Sequence, residues 1–375
     1  MERYSDEQME DASQEEIISL VRSIFEVSDF TKTEFSLEFR IEDHDFKSKF
    51  ENLARRLEDA RYGCKLEESN GAKYIIIQKF TPRKQRKWLT STWIPRILFA
   101  IVISFVMIDG YYRTLELNMI VDMGDPFEMA MIYTMSLLGI LGIHEVGHLI
   151  AAKYHRLKTT WPYFIPGIPV FGFVPTFGAF IQSRGLTINR EILFDVAIAG
   201  PIAGLVIAVI VSLYGAYTMP IIEPQTVNQF VEEGGDVNRL PYGNPLLFKG
   251  ALAIFDKDEQ FFIYTPVLWA SWIGFLITFL NLLPAWQLDG GHMARTLLGP
   301  KLHRYATFGS MGILILLNFL PMAILILILS SRNPGATPLD DISPLSRNRK
   351  FAYIGIIGLA VLCAPLPTDF LSLLP

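Results

Sequence analysis

Up to about residue 80, apolar side chains recur at short, regular intervals between charges; beyond residue 93 they merge into long runs. Ser13–Phe25 places Ile17, Ile18, Val21, Ile24 and Phe25 at helical spacing, which predicts an amphipathic helix. Phe35, Leu37, Phe39 and Ile41 alternate as in a half-buried strand. Phe46, Phe50, Leu53 and Leu57 share one face of a second predicted helix, and two short strands then meet at Asn70-Gly71, a favoured hairpin turn. Residues 1–85 therefore read as a small α+β domain without a catalytic constellation, suited to regulation or docking.

Six apolar runs follow: 94–108, 127–152, 192–217, 266–283, 305–329 and 351–367. Hydrophobic residues make up 51% of the 375-residue chain and charged ones only 19%, with a mean hydropathy of +0.31. This is too apolar for an ordinary soluble protein and predicts a polytopic α-helical membrane protein of about six transmembrane helices, with its membrane domain over 90–367. Arg83, Lys84, Arg86 and Lys87 precede the first run, so the amino-terminal domain is expected to be cytosolic. Lys153, Arg156 and Lys158 likewise mark an inner end, whereas the acid-rich stretch 220–263 marks an outer loop. The loop after residue 330 carries Arg332, Arg347, Arg349 and Lys350 where alternation would put it outside, so charge and alternation disagree there. The first thirty residues hold no continuous apolar run and many acids, which argues against a secretory signal or an organelle transit peptide; a prokaryotic cell membrane is the expected location.

Residues 161–182 are apolar but contain Pro162, Pro166, Pro169 and Pro175 with Gly167, Gly172 and Gly178, which exclude a spanning helix. Non-helical backbone at membrane depth must be covered or line a watery cavity, so a re-entrant β-hairpin is one reading and an aromatic-anchored interfacial loop the other.

Candidate chemistry lies in the second run, predicted as a helix over 127–153. His144 and His148 stand four residues apart and project from one helical face, with Glu145 beside them. This HExxH pattern suits a zinc ion held by two imidazoles and a carboxylate that takes a proton from an activated water. Three ionisable groups in an apolar helix are costly to bury and point to function. At 1.5 Å per residue His144 lies roughly 14 Å above Lys153, which puts the ion inside the membrane nearer its cytosolic face. A catalytic zinc wants a third ligand and an open position. Asp289, at the cytosolic end of a segment over 265–294, precedes Arg295 by about 9 Å if helical and reaches a matching depth; His292 is the rival. Pro284 and Gly290-Gly291 allow a break that presents the carboxylate sideways. Asp195 is a candidate for orienting a metal ligand or for an inter-helix hydrogen bond. Gly200 and Gly204 permit close helix packing, with Gly139 and Gly142 as the expected facing surface. Cys64 and Cys363 imply no disulfide framework, and a net charge of −5 gives no nucleic-acid footprint.

With His144-Glu145-Val146-Gly147-His148 in one apolar helix and Asn281-x-x-Pro284-x-x-x-x-Asp289-Gly290 in a later one, the chain resembles the site-2 protease family of intramembrane zinc metalloproteases. The stretches WPYFIPGIP, FGAFIQ and FDVAIAGPIAGL are similar to its archaeal, bacterial and plastid members of the ethylene-dependent gravitropism-deficient type. The resemblance covers about residues 90–365 and implies one Zn2+ held by His144, His148 and Asp289, Glu145 as general base and acid, and Asn281 positioning the substrate backbone. It further implies membrane-tethered protein substrates cleaved within the bilayer. A transporter built around buried polar residues and a catalytically silent metal-binding scaffold are the competing classes.

Overall fold

The computed structural model describes residues 14–60, 62–79, 93–167, 175–180, 187–220, 225, 243–257, 263–332 and 337–366. The basic cluster Arg83, Lys84, Arg86 and Lys87 lies outside them, as do Arg184, most of the acidic 220–263 stretch and the middle of 161–182. The chain forms two compact units: Met1–Arg86 with Leu186–Ile192 and Thr337–Leu345, and the remainder.

The first unit contains α1 (Gln14–Ile24), β1 (Val27–Lys32), β2 (Leu37–Ile41), α2 (Lys47–Asp59), β3 (Tyr62–Ser69) and β4 (Ala72–Lys79). The strands form one antiparallel sheet in the order β1-β2-β4-β3. Its core is built from the periodic positions: Ile17 and Val21 of α1, Phe50, Leu53 and Leu57 of α2, and Phe39, Leu66 and Ile75 of the sheet are fully buried. Asn70 and Gly71 both have positive φ, 51° and 76°, which suits the right-handed twist of the strands they join. β1 was not expected from the pattern, because it is an edge strand with no buried residue and so carries no alternation. Phe35 belongs to the turn before β2 and is 78% exposed, so the alternating pattern overreached by one position.

Two segments from far along the chain complete this unit. Leu66 N–H donates to Leu339 O at 2.9 Å, and the amides of Leu339 and Asp340 donate to Thr187 O and Ile188 O at 2.9 and 2.8 Å. Asp340, wholly buried, accepts from the amides of Ile342 and Ser343 at 3.1 and 2.9 Å. The basic loop after residue 330 is thus tied, through Leu339, to the sheet of the amino-terminal residues.

The second unit contains α3 (Trp93–Leu117), α4 (Pro126–Tyr154), β5 (Tyr163–Pro166), β6 (Thr176–Phe180), α5 (Arg190–Thr218, whose first turn belongs to the first unit), α6 (Leu246–Ala253), α7 (Pro266–Leu282), α8 (Asp289–Leu316, kinked at Gly299, φ 74°, ahead of Pro300), α9 (Leu320–Arg332) and α10 (Arg347–Cys363). α3, α4 and α5, with 25, 29 and 29 residues, are long and apolar enough to cross a membrane; α7 and α9 are shorter apolar helices. α4 begins at Asp125, whose carboxylate accepts from the amides of Phe127 and Glu128 at 2.9 Å, with Pro126 in the first turn. α7 is buried on all sides, with Leu268, Trp272, Ile273 and Phe275 fully enclosed, as expected of a helix that is apolar all round. It packs on α4 and α10.

The run 305–329, expected as one helix, is two. α8 ends where Asn318 enters the left-handed region at φ 64°; Phe319 N–H then reaches back to Leu314 O at 2.7 Å and Asn318 N–H to Ile315 O at 3.1 Å. This closes the helix end in a Schellman turn, and Pro321, lacking an amide donor, sits in the first turn of α9. Apolarity alone hid the break. Cys64 and Cys363 are buried and unpaired.

Asp43 is buried and accepts from Glu26 N–H at 2.7 Å and from the Lys49 ammonium. Burial pushes its carboxyl upward, but the Lys49 and Glu26 hydrogen bonds outweigh that and hold it below the usual carboxylate value. Its contribution to stability is therefore present above the unfolded value of about 3.9 and disappears as pH falls through the lower folded value. Asp43→Asn is expected to lower the unfolding temperature of this unit by roughly 2–5 °C at pH 7. Hydrogen exchange over β1 and β2 should show the difference from wild type shrinking as pH falls below the unfolded carboxylate value.

Candidate metal centre

His144 and Glu145 are adjacent on one turn of α4 and His148 lies on the next, and His144 and Glu145 are buried. His144 Nε2 and His148 Nε2 are 3.1 Å apart. Asp289, the first residue of α8, brings one carboxylate oxygen to 3.3 Å from His144 Nε2 and the other to 3.4 Å from His148 Nε2. His148 Nδ1–H donates to Val196 O at 2.8 Å, which leaves Nε2 with its lone pair towards the cluster. Glu145 is close enough to interact electrostatically with His144, His148 and Asp289.

The turn between α7 and α8 delivers Asp289. α7 stops at Leu282, ahead of Pro284, and Trp286 adopts φ 45° with its amide donating to Thr307 Oγ1 at 3.0 Å. Leu288 N–H returns to Ala285 O at 3.1 Å, and α8 starts at once. The first turn of α8 lies hard against this bend: a Cβ on Gly290 would sit 2.1 Å from Leu282 O. Only glycine allows that approach, so Gly290 sets the distance of Asp289 from the histidines. As the leading residue of a helix, the carboxylate also faces the positive end of the helix dipole.

The facing surface of Gly200 and Gly204 is not Gly139 and Gly142, which have no neighbour within 4 Å of a built Cβ. A Cβ on Gly200 would lie 2.2 Å from His148 Nε2, and one on Gly204 would lie 2.9 Å from His144 Cβ. Gly147 faces Ala199 O, where a Cβ would come within 2.5 Å. The small residues of α5 thus make room for the imidazoles, because the two imidazole rings need the space that a side chain on either glycine would fill. That role, and the Val196 carbonyl, escaped sequence reasoning, since neither residue type advertises it. Asp195 does not orient a cluster residue: it is paired with His155 at 3.1 Å and, through both oxygens, with Arg349 at 2.7 and 2.6 Å. His292 is not one of the convergent groups. Asn281 is half-buried in the last turn of α7.

β5 and β6 pair antiparallel, with Tyr163 opposite Phe180 and Phe164 opposite Ala179. Phe164 packs on Phe99 of α3 with ring centroids 4.7 Å apart, and β6 contacts α4.

Among the described residues, His144, His148 and Asp289 are the one group of three such side chains whose ligand atoms converge, all within 4.8 Å of one another. Bonds of 2.0–2.1 Å in a tetrahedral zinc site give ligand separations of roughly 3.3 Å, and the three separations here are 3.1, 3.3 and 3.4 Å. Two imidazole lone pairs and a carboxylate pointed at one another call for a cation, so the donor set fits zinc. Gly200→Ala is expected to push the His148 ring out of the cluster and lower the zinc content of the purified chain several-fold. Elemental analysis checks it, with Gly139→Ala, which has open space, as the unchanged control.

The profile of Peptidase family M50 matches residues 132–323. The chain is 30% identical over 246 residues to a protein of Oryza sativa subsp. indica named "Probable zinc metalloprotease EGY2, chloroplastic", a match covering 62% of this chain and 42% of that one. It is 30% identical over 259 residues to "Probable zinc metalloprotease EGY1, chloroplastic" of Arabidopsis thaliana, covering 64% and 44%. An uncharacterized protein of Methanocaldococcus jannaschii is 27% identical over 205 residues, covering 42% of this chain and 54% of that one. The chain thus spans about two fifths of the length of the plant relatives. No solved structure matches significantly. Nothing in these likenesses supports a transporter or a silent scaffold. The profile covers just over half of the chain, from α4 to the start of α9, and contains every residue of the cluster; the chain belongs to Peptidase family M50.

Proposed function

We propose that this chain is an intramembrane zinc metalloprotease that hydrolyses peptide bonds within or beside the transmembrane segments of membrane-tethered proteins. One zinc ion would be held by His144, His148 and Asp289. The observation that carries the reading is the convergence of two imidazole nitrogens and a carboxylate, from helices far apart in sequence, next to the buried Glu145. Family membership and the plant relatives named as zinc metalloproteases support it.

A bound zinc ion supplies Lewis acidity, polarising a peptide carbonyl and lowering the pKa of water. Glu145 takes the proton of the attacking water and returns it to the departing amine. Val196 O, through Nδ1 of His148, keeps that ring in the tautomer whose Nε2 faces the cluster. A substrate helix hides its carbonyls in intrasegment bonds and must unwind locally. The β5–β6 hairpin, re-entrant in this reading, offers replacement hydrogen bonds by strand addition. Asn281, in the last turn of α7 directly before the bend, holds the unwound backbone through its amide in this reading.

The amino-terminal unit lies on the cytosolic side in this reading and serves regulation or substrate docking. The loop around Leu339 shares that side, because it is hydrogen-bonded to β3. Its basic surplus then falls inside, as the charge rule asks. Of the six apolar runs, the fifth enters and returns as the α8–α9 hairpin, since α9 has 13 residues and spans only about 20 Å of a roughly 30 Å core.

Glu145→Gln should retain stoichiometric zinc and lose about 10²–10⁴-fold in cleavage of a model single-span substrate in proteoliposomes; full activity with full zinc would refute the role. Asp289→Ala is expected to lose far more zinc than His292→Ala. Metal analysis of both variants decides this, and the reverse order would hand the third position to His292.

A further inference from the structure

We infer that the cleft at the carboxyl-terminal end of α4 binds the phosphate of an anionic phospholipid headgroup. The inference rests on the reading that α4 crosses the membrane and is independent of the metal cluster. A cavity of about 460 Å³ opens there, lined by Lys153, Arg156, Thr159 and Trp161 above Leu149 and Leu157. Lys153 and Arg156 are exposed, and among the described residues neither side chain has a hydrogen-bond or ion-pair partner. No acid occurs in the chain between Glu145 and Glu191, and Asp195, the acid that reaches this helix end, is engaged by His155 and Arg349.

The backbone gives a second, separate observation. α4 closes in a Schellman turn, with Leu157 N–H donating to Ala152 O at 2.8 Å and Arg156 N–H to Lys153 O at 3.0 Å. Arg156 occupies the left-handed position of that turn at φ 57°. Glycine or asparagine is the residue that this position favours, and a long side chain there is held against its backbone preference. Strain of this kind persists at sites where the residue has a task. A guanidinium fork and an ammonium beside a threonine hydroxyl provide the donors that a phosphate diester accepts.

The surroundings select the lipid over a free anion. Trp161, which lines the cleft, is 78% exposed, and Ile150 and Tyr154 in the last turns of α4 are 65% and 82% exposed, the aromatic and apolar side chains that suit a membrane interface. Leu149, Leu157 and Trp161 suit the glycerol and first acyl carbons, for which inorganic phosphate has no counterpart. An acidic protein segment would satisfy the two cations and leave the girdle in water.

The test uses the purified full chain in mild detergent, offered equal phosphatidylglycerol and phosphatidylcholine, with bound lipid counted by native mass spectrometry. One phosphatidylglycerol is expected to be retained at least tenfold over phosphatidylcholine. Lys153→Gln and Arg156→Gly should each weaken that preference roughly fivefold. Arg156→Gly should melt at the same temperature as wild type or higher, because glycine relieves the left-handed position. A lower melting temperature with preference intact would make Arg156 a structural residue and overturn the inference. So would equal retention of the two lipids, or preference surviving in the double variant. Displacement by millimolar inorganic phosphate or by an oligoglutamate peptide would reassign the cleft to a free anion or an acidic segment. Extraction of the chain from vesicles by alkaline carbonate would remove the membrane-spanning reading instead, whereas a firmly inserted chain without lipid preference removes only the headgroup site.

Discussion

Three lone-pair-bearing groups pointed at one another in an apolar interior repel unless a cation lies among them, and the second unit is built around that requirement. Moving a carboxylate out of water costs several kcal/mol, and buried imidazoles need partners too, so His144, His148 and Asp289 sit where they do only because the backbone leaves them little choice. Gly200 gives up its side chain to the His148 ring, and Gly290 gives up its own to the end of α7. Each glycine replaces a packing contact with a defined approach. The cluster is therefore a property of two helix contacts, α4 on α5 and the α7–α8 bend on itself, more than of the three side chains alone.

The same contacts explain why the polar groups around the cluster are arranged as they are. Val196 O holds His148 through Nδ1, so the tautomer is set by main chain that no substitution at 196 would remove. Asp195, its neighbour, turns the other way to His155 and Arg349, tying the end of α4 and the start of α10 to α5. One turn of α5 thus serves the cluster with its carbonyl and the helix packing with its carboxylate. The proposed hydrolysis needs this rigidity, because a general base is useful only within hydrogen-bond reach of the proton that it moves.

The hydrophobic pattern marked the helices well wherever a long run coincided with one element, as in α3, α4, α5 and α7. It failed where apolarity continued through a change of direction: Asn318 and Pro321 mark the end of one helix and the start of the next inside 305–329, and the pattern of apolar positions passes over both. It also missed β1, since a sheet-edge strand buries too little to show alternation. The loop after residue 330, where charge and alternation disagreed, is hydrogen-bonded through Leu339 to β3.

The sequence by itself determined that two imidazoles and a carboxylate share one turn-and-a-bit of an apolar helix, because spacing on a helix is a local property. It also offered Asp289, by its depth near the cytosolic end and the break that Pro284 and Gly290-Gly291 permit, with His292 as the rival. Only the tertiary structure decided that Asp289 and not His292 meets the histidines, that Gly200 and Gly204 face imidazoles and not Gly139 and Gly142, and that Arg156 holds a left-handed backbone. Those outcomes depend on where one helix end lies relative to another to within an ångström, and no periodicity along a single chain encodes such a distance.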